Sequence, residues 1–245
     1  MLLLEGIVLG AAIGLVLGTI GAGGAILAVP GLIAVMGLST VAATTSALVI
    51  VGTAAVAGVV PRLKAKNVNI RLGLTFSALG VAGTFIGTQL VDLISEPAQL
   101  ILFASLMFGS ALAMWRGPVS SSVLAKKGHW YRVIAVATGI GILTGLLGVG
   151  GGFLIVPALV VILKVPTKVA AGTSLVAITS NATIAFFMRY QYWDLIPLTS
   201  IFAFSLSAVT ASFLSAPLAT RLDPKILQRS FAILVAFIAL IMLVI

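Results

Sequence analysis

Long runs of apolar residues separated by short polar breaks dominate this chain. The stretches 2–20, 40–60, 72–94, 98–115, 133–147, 165–188, 195–218 and 226–245 carry almost no charge. Most of them approach the roughly 20 residues that cross a bilayer as a helix. Two further apolar pieces, 24–36 and 151–163, have only thirteen residues each. At about 1.5 Å per residue they would be roughly 20 Å long, too short to cross unaided. The pattern predicts an all-α polytopic membrane protein of about ten hydrophobic segments, two of them short or re-entrant.

The two short pieces belong to a repeat. Residues 14–30 read GLVLGTIGAGGAILAVP and residues 141–157 read GILTGLLGVGGGFLIVP, with eight of seventeen positions identical. Each copy carries a glycine run into a short segment, and each ends on an equivalent proline, Pro30 or Pro157. The prolines are expected to kink or shorten the helix and to be architectural. The repeat divides the chain into an N-terminal half (1–115), a linker (116–132) and a C-terminal half (133–245). Five segments per half is an odd number, so the second half is expected to be inverted relative to the first. Whether residues 2–36 and 133–163 each cross twice or form re-entrant hairpins leaves later side assignments unchanged.

Charge supports the alternation. Of fourteen Lys and Arg residues, all but Arg189 fall in breaks predicted on one side: 62–71, 116–132, 164–168 and 221–229. Glu5, Asp92, Glu96 and Asp194 fall opposite, with only Asp223 alongside. The bias of basic residues toward the cytoplasm makes that side the inner one and puts both termini outside. The net charge of +9 is thus explained by membrane orientation, and nucleic acid is not an expected partner. The start MLLLEGIVLG has no basic leader, so the first segment is expected to be retained.

Composition changes the picture only by exclusion. The chain is 61% apolar and 8% charged, with mean hydropathy +1.28, which is incompatible with an ordinary soluble domain. There is no cysteine, and the single His129 lies in the linker, so no metal site or cofactor is expected. All five carboxylates fall at predicted segment ends or in loops, so none is an obvious intramembrane proton relay. No phosphate-binding loop or nucleophile–base pair is present, so ATP-driven transport and enzymatic chemistry are unsupported.

The candidate chemistry lies in the repeated motifs. The runs Gly21-Ala22-Gly23-Gly24 and Gly148-Val149-Gly150-Gly151-Gly152 interrupt helix. They leave the free N–H groups and positive dipole end of each short helix facing the loop, where an anion can bind without a charged side chain. The alternative is that the glycines serve close helix packing. A second shared motif, VAATTS at 41–46 and VAAGTS at 169–174, supplies hydroxyls at Thr45 and Thr173 and at Ser46 and Ser174. Thr173, Ser180 and Asn181 share a helical face, as do Thr45, Gly52 and Thr53. Such groups either donate to an oxyanion or bond their own helix backbone. Asn181 is the strongest single candidate, because an amide in an apolar span is costly to leave unpaired. Arg189, in the aromatic run RYQYWD, is either an outer vestibule contact or part of an interfacial belt.

The duplicated glycine loop followed by proline and then V-A-A-x-T-S, in a basic-looped chain of this size, resembles the sulfite exporter TauE/SafE family of bacterial membrane proteins. The resemblance covers essentially the whole chain. One departure is Ala25, where the second half has Gly152. The resemblance implies secondary transport of small sulfur-containing anions, such as sulfite, sulfonates or sulfoacetate, across the cytoplasmic membrane. Combined with the residues, it predicts alternating access around a central anion, in contact with the lipid bilayer and with a homodimer left open. The alternatives are a passive anion channel and a non-transporting scaffold subunit.

Overall fold

The computed structural model describes residues 2–90, 94–116, 130–147 and 152–244. It contains ten α-helices and no strand among those residues. The order is α1 (Leu2–Ile20), α2 (Gly24–Met36), α3 (Thr40–Lys64), α4 (Ile70–Gln89), α5 (Glu96–Arg116), α6 (Trp130–Leu147), α7 (Gly152–Pro157), α8 (Thr167–Met188), α9 (Leu198–Arg221) and α10 (Pro224–Val244). A π-helical turn, Ala158–Ile162, continues α7, and a 3-10 turn, Tyr190–Leu195, joins α8 to α9. Among the described residues α3, α4, α8 and α9 are long and apolar enough to cross a bilayer, and shorter apolar stretches lie in α1, α2, α5, α6 and the α7–π segment. The chain is therefore a multi-pass membrane protein. The expected linker 116–132 lies mostly outside the described residues.

Local chemistry sets the helix ends. Ser39 caps α3 by accepting from the Ala42 N–H at 3.3 Å, and Asn69 caps α4 by accepting from the Leu72 N–H at 3.0 Å. Gly37 ends α2 in the left-handed region at φ 64°, and Lys164 occupies the same conformation at φ 55° after the π turn. Only one of the two positions has the residue type that adopts it without strain. Pro30 does not break α2, which runs on to Met36, whereas Pro157 is the last α-helical residue before the π turn. Every residue of α7 is buried, so this helix has no lipid face. Phe153 packs edge-on against Phe103 of α5 with ring centroids 5.4 Å apart.

The basic helix ends gather at one end of the bundle. Arg71 stacks on Trp130, and Arg229 stacks on Trp115. Thr167 donates to the Gln228 side chain at 3.5 Å, and the Lys168 ammonium donates to the Thr220 carbonyl at 2.7 Å. These contacts bring together the starts of α4, α6, α8 and α10 and the ends of α5 and α9. The opposite end carries the start of α3 and the end of α8, joined by Arg189 donating to Thr44 Oγ1 at 2.7 Å.

The two most extensive helix contacts are α1 with α9 and α4 with α6. Gly6, Gly10, Gly14 and Gly18 form a ridge along α1 that lies against Phe204, Ser207, Ala208, Ser212 and Ser215 in the same order, so the two helices are parallel. A Cβ on Gly14 would strike the Ala208 carbonyl. Along α4, Gly83 and Gly87 press on Thr138, Gly141 and Ile142, again in parallel, and a Cβ on Gly141 would strike the Gly80 carbonyl. By contrast α3 and α8 are antiparallel, since Gly52 faces Ala182 and Gly58 faces Leu175. Lipid gives little drive to bury apolar side chains, so contact this close between backbones supplies the attraction.

Filling either seam should therefore destabilise the bundle. Gly14→Val and Gly141→Val are each expected to cost about 1–3 kcal/mol or more, the usual penalty of overpacking. Gly109→Ala, where a new Cβ meets nothing within 4 Å, should be neutral. Melting curves of the purified variants in one detergent check the contrast.

Candidate functional site

A cavity of about 590 Å³ lies between helices of both halves. Its mouth is at the end opposite the basic residues, lined by Thr40 and Thr44 at the start of α3, Thr88 at the end of α4, and Met188 and Arg189 at the end of α8. Its floor includes Leu17, Gly23 and Gly24 from the α1–α2 turn, with Phe76 and Phe103. Gly152, Ile155, Ile178 and Asn181 line the wall between. Apolar surface predominates. Arg189 is the sole charged residue among the described lining residues, and the polar side chains besides it are threonines and Asn181.

Asn181 is held in place by α4. Ser77 Oγ donates to Asn181 Oδ1 at 2.6 Å, which leaves the amide N–H pair without a protein partner among the described residues and free to serve the cavity. Arg189 is partly buried at the mouth, where its bond to Thr44 fixes the guanidinium. Thr84 and Thr144 lie 3.4 Å apart across the α4–α6 seam and both line the cavity. The sequence reading did not single out this pair. The signal was the glycine spacing around them, which marks the seam that brings the two helices together.

The candidate residues separate into three groups. Gly23, Gly24, Gly152, Asn181 and Arg189 line the cavity, as does Pro30. Gly148, Gly150 and Gly151 lie outside the described residues. Gly21, Thr45, Ser46, Thr173, Ser174 and Pro157 do not line it. Thr45 donates to its own helix at Val41 O, and Thr173 Oγ1 accepts from the Asn69 N–H at 3.0 Å, fixing the start of α4. Ser174 Oγ donates to Gly21 O at 2.6 Å and to Ala171 O at 2.9 Å. Ser46 Oγ is buried without a hydrogen-bond partner among the described residues. Gly21, at φ 79°, rests on the Ala171 carbonyl so closely that a Cβ has no room. Ala171 is in the second turn of α8, so the first glycine turn sits toward the basic end of the bundle and not at its middle.

That turn is secured by a residue which composition alone assigns to a solvated loop. Arg62, near the end of α3, is fully buried. Its Nη2 donates to Gly18 O at 2.7 Å and Thr19 O at 2.8 Å, and Nη1 reaches Lys168 O at 3.5 Å. The last carbonyls of α1 have no intrahelical partners, and a cation placed there satisfies them and complements the helix dipole. Arg62, Ser174 and Lys168 together close the basic end, and none of them lines the cavity.

Comparison with known proteins agrees with this architecture. The model of the family described as sulfite exporter TauE/SafE matches residues 6–242. The chain is similar to a "Probable membrane transporter protein" of Xylella fastidiosa (strain Temecula1 / ATCC 700964), with 34% identity over 239 residues, covering 94% of this chain and 91% of that one. It is also similar to the "Probable membrane transporter protein YunE" of Bacillus subtilis (strain 168), with 32% identity over 198 residues, covering 69% and 71%. No solved structure matches the chain significantly.

Removing the buried cation should loosen the closed end. Arg62→Met keeps much of the length but leaves two α1 carbonyls unpaired, with an expected loss of about 2–3 kcal/mol from charge-assisted bonds. Thermal unfolding should show this loss for Arg62→Met and a much smaller one for Lys64→Met, since Lys64 is an exposed neighbour.

Proposed function

The chain belongs to the sulfite exporter TauE/SafE family of membrane transporters, and from that membership we propose a secondary transporter that carries a sulfur-containing anion of the sulfite, sulfonate or sulfoacetate class across the cytoplasmic membrane. It is a transporter and not an enzyme. The observation that carries the proposal is the cavity itself. It is lined by helices of both halves, and it places Arg189 at its mouth and, among the described residues, an unpaired amide at Asn181. Arg189 attracts an anion and excludes cations. Asn181 and the N–H groups around Gly23, Gly24 and Gly152 are neutral donors that bind without trapping.

The mechanism proposed is alternating access between two inverted halves, 1–115 and 133–245. Exchange of helix partners supports this symmetry: α1 packs on α9 as α6 packs on α4, in parallel in both cases. The helices α3 with α8 and α5 with α10 pair across the halves. Gly37 and Lys164, 127 positions apart, share one backbone conformation, as the two ends of a duplicated short helix would. On this reading the conformation is the one open opposite the basic end, where the lining residues Thr40, Thr88 and Met188 are exposed, while bonds of Arg62, Ser174 and Lys168 tie helices together at the basic, closed end. The positive-inside bias makes the closed end cytoplasmic and places both termini outside.

Two measurements test the proposal. Reconstituted protein should show saturable uptake and counterflow of labelled sulfite or a sulfonate, and Arg189→Gln or Asn181→Leu should raise the apparent KM roughly tenfold, the loss of about 1.4 kcal/mol. Unsaturable conductance without counterflow would instead identify a channel. Because the chain has no cysteine, single substitutions report sidedness without background: Lys66→Cys should react with an impermeant maleimide only from the cytoplasm, and Tyr192→Cys only from outside.

A further inference from the structure

The dimensions and lining of the cavity do not match a bare oxyanion. Sulfite takes on the order of 60 Å³, about two waters' share of liquid volume, against a cavity of about 590 Å³. A strongly hydrated inorganic oxyanion moved into an apolar chamber needs donors on every side to replace its water. Among the described residues the chamber offers instead, besides the N–H groups around Gly23, Gly24 and Gly152 at its deep side, one guanidinium, one amide and scattered threonine hydroxyls, and several of those hydroxyls are already committed to backbone carbonyls, as Thr44 is to Thr40 O, Thr84 to Gly80 O and Thr144 to Gly141 O.

The polar groups are also unevenly placed. Arg189 and Thr44 stand at the mouth, and Asn181 lies eight residues deeper along α8, roughly 12 Å down the axis. Between and below them the wall is apolar: Leu48 and Val51 from α3, Ile178 and Ala185 from α8, and Phe76 and Phe103 at the floor. A volume of several hundred Å³, mostly apolar with a few placed polar groups, is the usual form of an organic-ligand site.

We propose that the substrate is an amphiphilic organic anion, with one sulfonate-type head group and an apolar body that occupies the chamber, and not an inorganic oxyanion. This rests on the transport reading above and narrows the substrate of that same cavity. The head takes its charge partner from Arg189 and the body takes its affinity from the wall. Affinity therefore rises with apolar length, where a site built for an inorganic ion would show no rise or a clash.

The test is isothermal titration of the full-length protein in lipid nanodiscs, with empty nanodiscs subtracted. The ligands are sulfite, sulfate, methane-, propane-, pentane- and heptanesulfonate, benzenesulfonate, and the neutral sulfonamides of matching length. The expected result is a Kd falling roughly fourfold per added methylene across the sulfonates, with each sulfonate tighter than its sulfonamide. Arg189→Gln should narrow the gap between sulfonate and sulfonamide without changing the dependence on length. Ala185→Phe, which occupies part of the chamber, should flatten that dependence for the longer chains. A Kd unchanged or rising with length, in protein that still shows saturable sulfite flux, would overturn this inference and leave the transport proposal standing. Sulfonamides binding as tightly as sulfonates would overturn the anionic head. Absence of binding and flux for every anion would overturn both readings.

Discussion

Backbone-to-backbone contact along the two glycine seams is the constraint on which the rest of this molecule depends. Helices in a bilayer gain little by hiding leucines from one another, because the surrounding lipid is equally apolar. What remains is dispersion at close range and the few hydrogen bonds that small residues admit. The ridge of Gly6, Gly10, Gly14 and Gly18 against α9, and the mutual approach of Gly83, Gly87 and Gly141 between α4 and α6, bring a helix of one half into the other half twice. The halves are thereby interleaved, and α7 is wholly buried within the bundle. The cavity is the volume this interleaving leaves unfilled.

Polar groups then fix what packing alone would leave free to slide. Arg62 bonds the end of α1, Ser174 bonds the glycine turn after it, and Thr173 bonds the first turn of α4. All three act on backbone, and all three join segments far apart in sequence. A buried guanidinium is expensive unless its donors are used, and here the carbonyls it meets are ones that helix geometry leaves unpaired. The threonines of the cavity wall are partly engaged in the same way: Thr44, Thr84 and Thr144 each donate to a carbonyl one turn back along their own helix.

How much of this was legible in the sequence follows from the range of each interaction. Hydropathy located every helix to within a few residues, because the bilayer imposes apolarity on each segment separately. The first glycine turn and the two short segments were equally plain, since a helix interruption is local. The roles of the hydroxyls were not legible. Thr173 and Asn181 share a face in sequence, yet Thr173 meets Asn69 and Asn181 meets Ser77, each 104 positions away, and no local pattern says which neighbour a face will find. Arg62 was hidden for the opposite reason, standing in a basic run whose other members are exposed. The four-residue spacing of glycine in α1 was present throughout and was the one local signal of the seam.

The seam between α1 and α9 has a consequence for biogenesis. A ribosome delivers α1 to the membrane nearly two hundred residues before the helix that will cover its glycine face, as the bond from Ser207 to the Ile7 carbonyl across 200 positions records. The Arg62 that caps α1 follows its carbonyls by only 43 or 44 positions, so the C-terminal end of the helix is secured early while its long face is not. Throughout synthesis that ridge must lie against lipid, the insertion machinery or a borrowed partner. The arrival of α9 therefore settles the position of a helix made long before it.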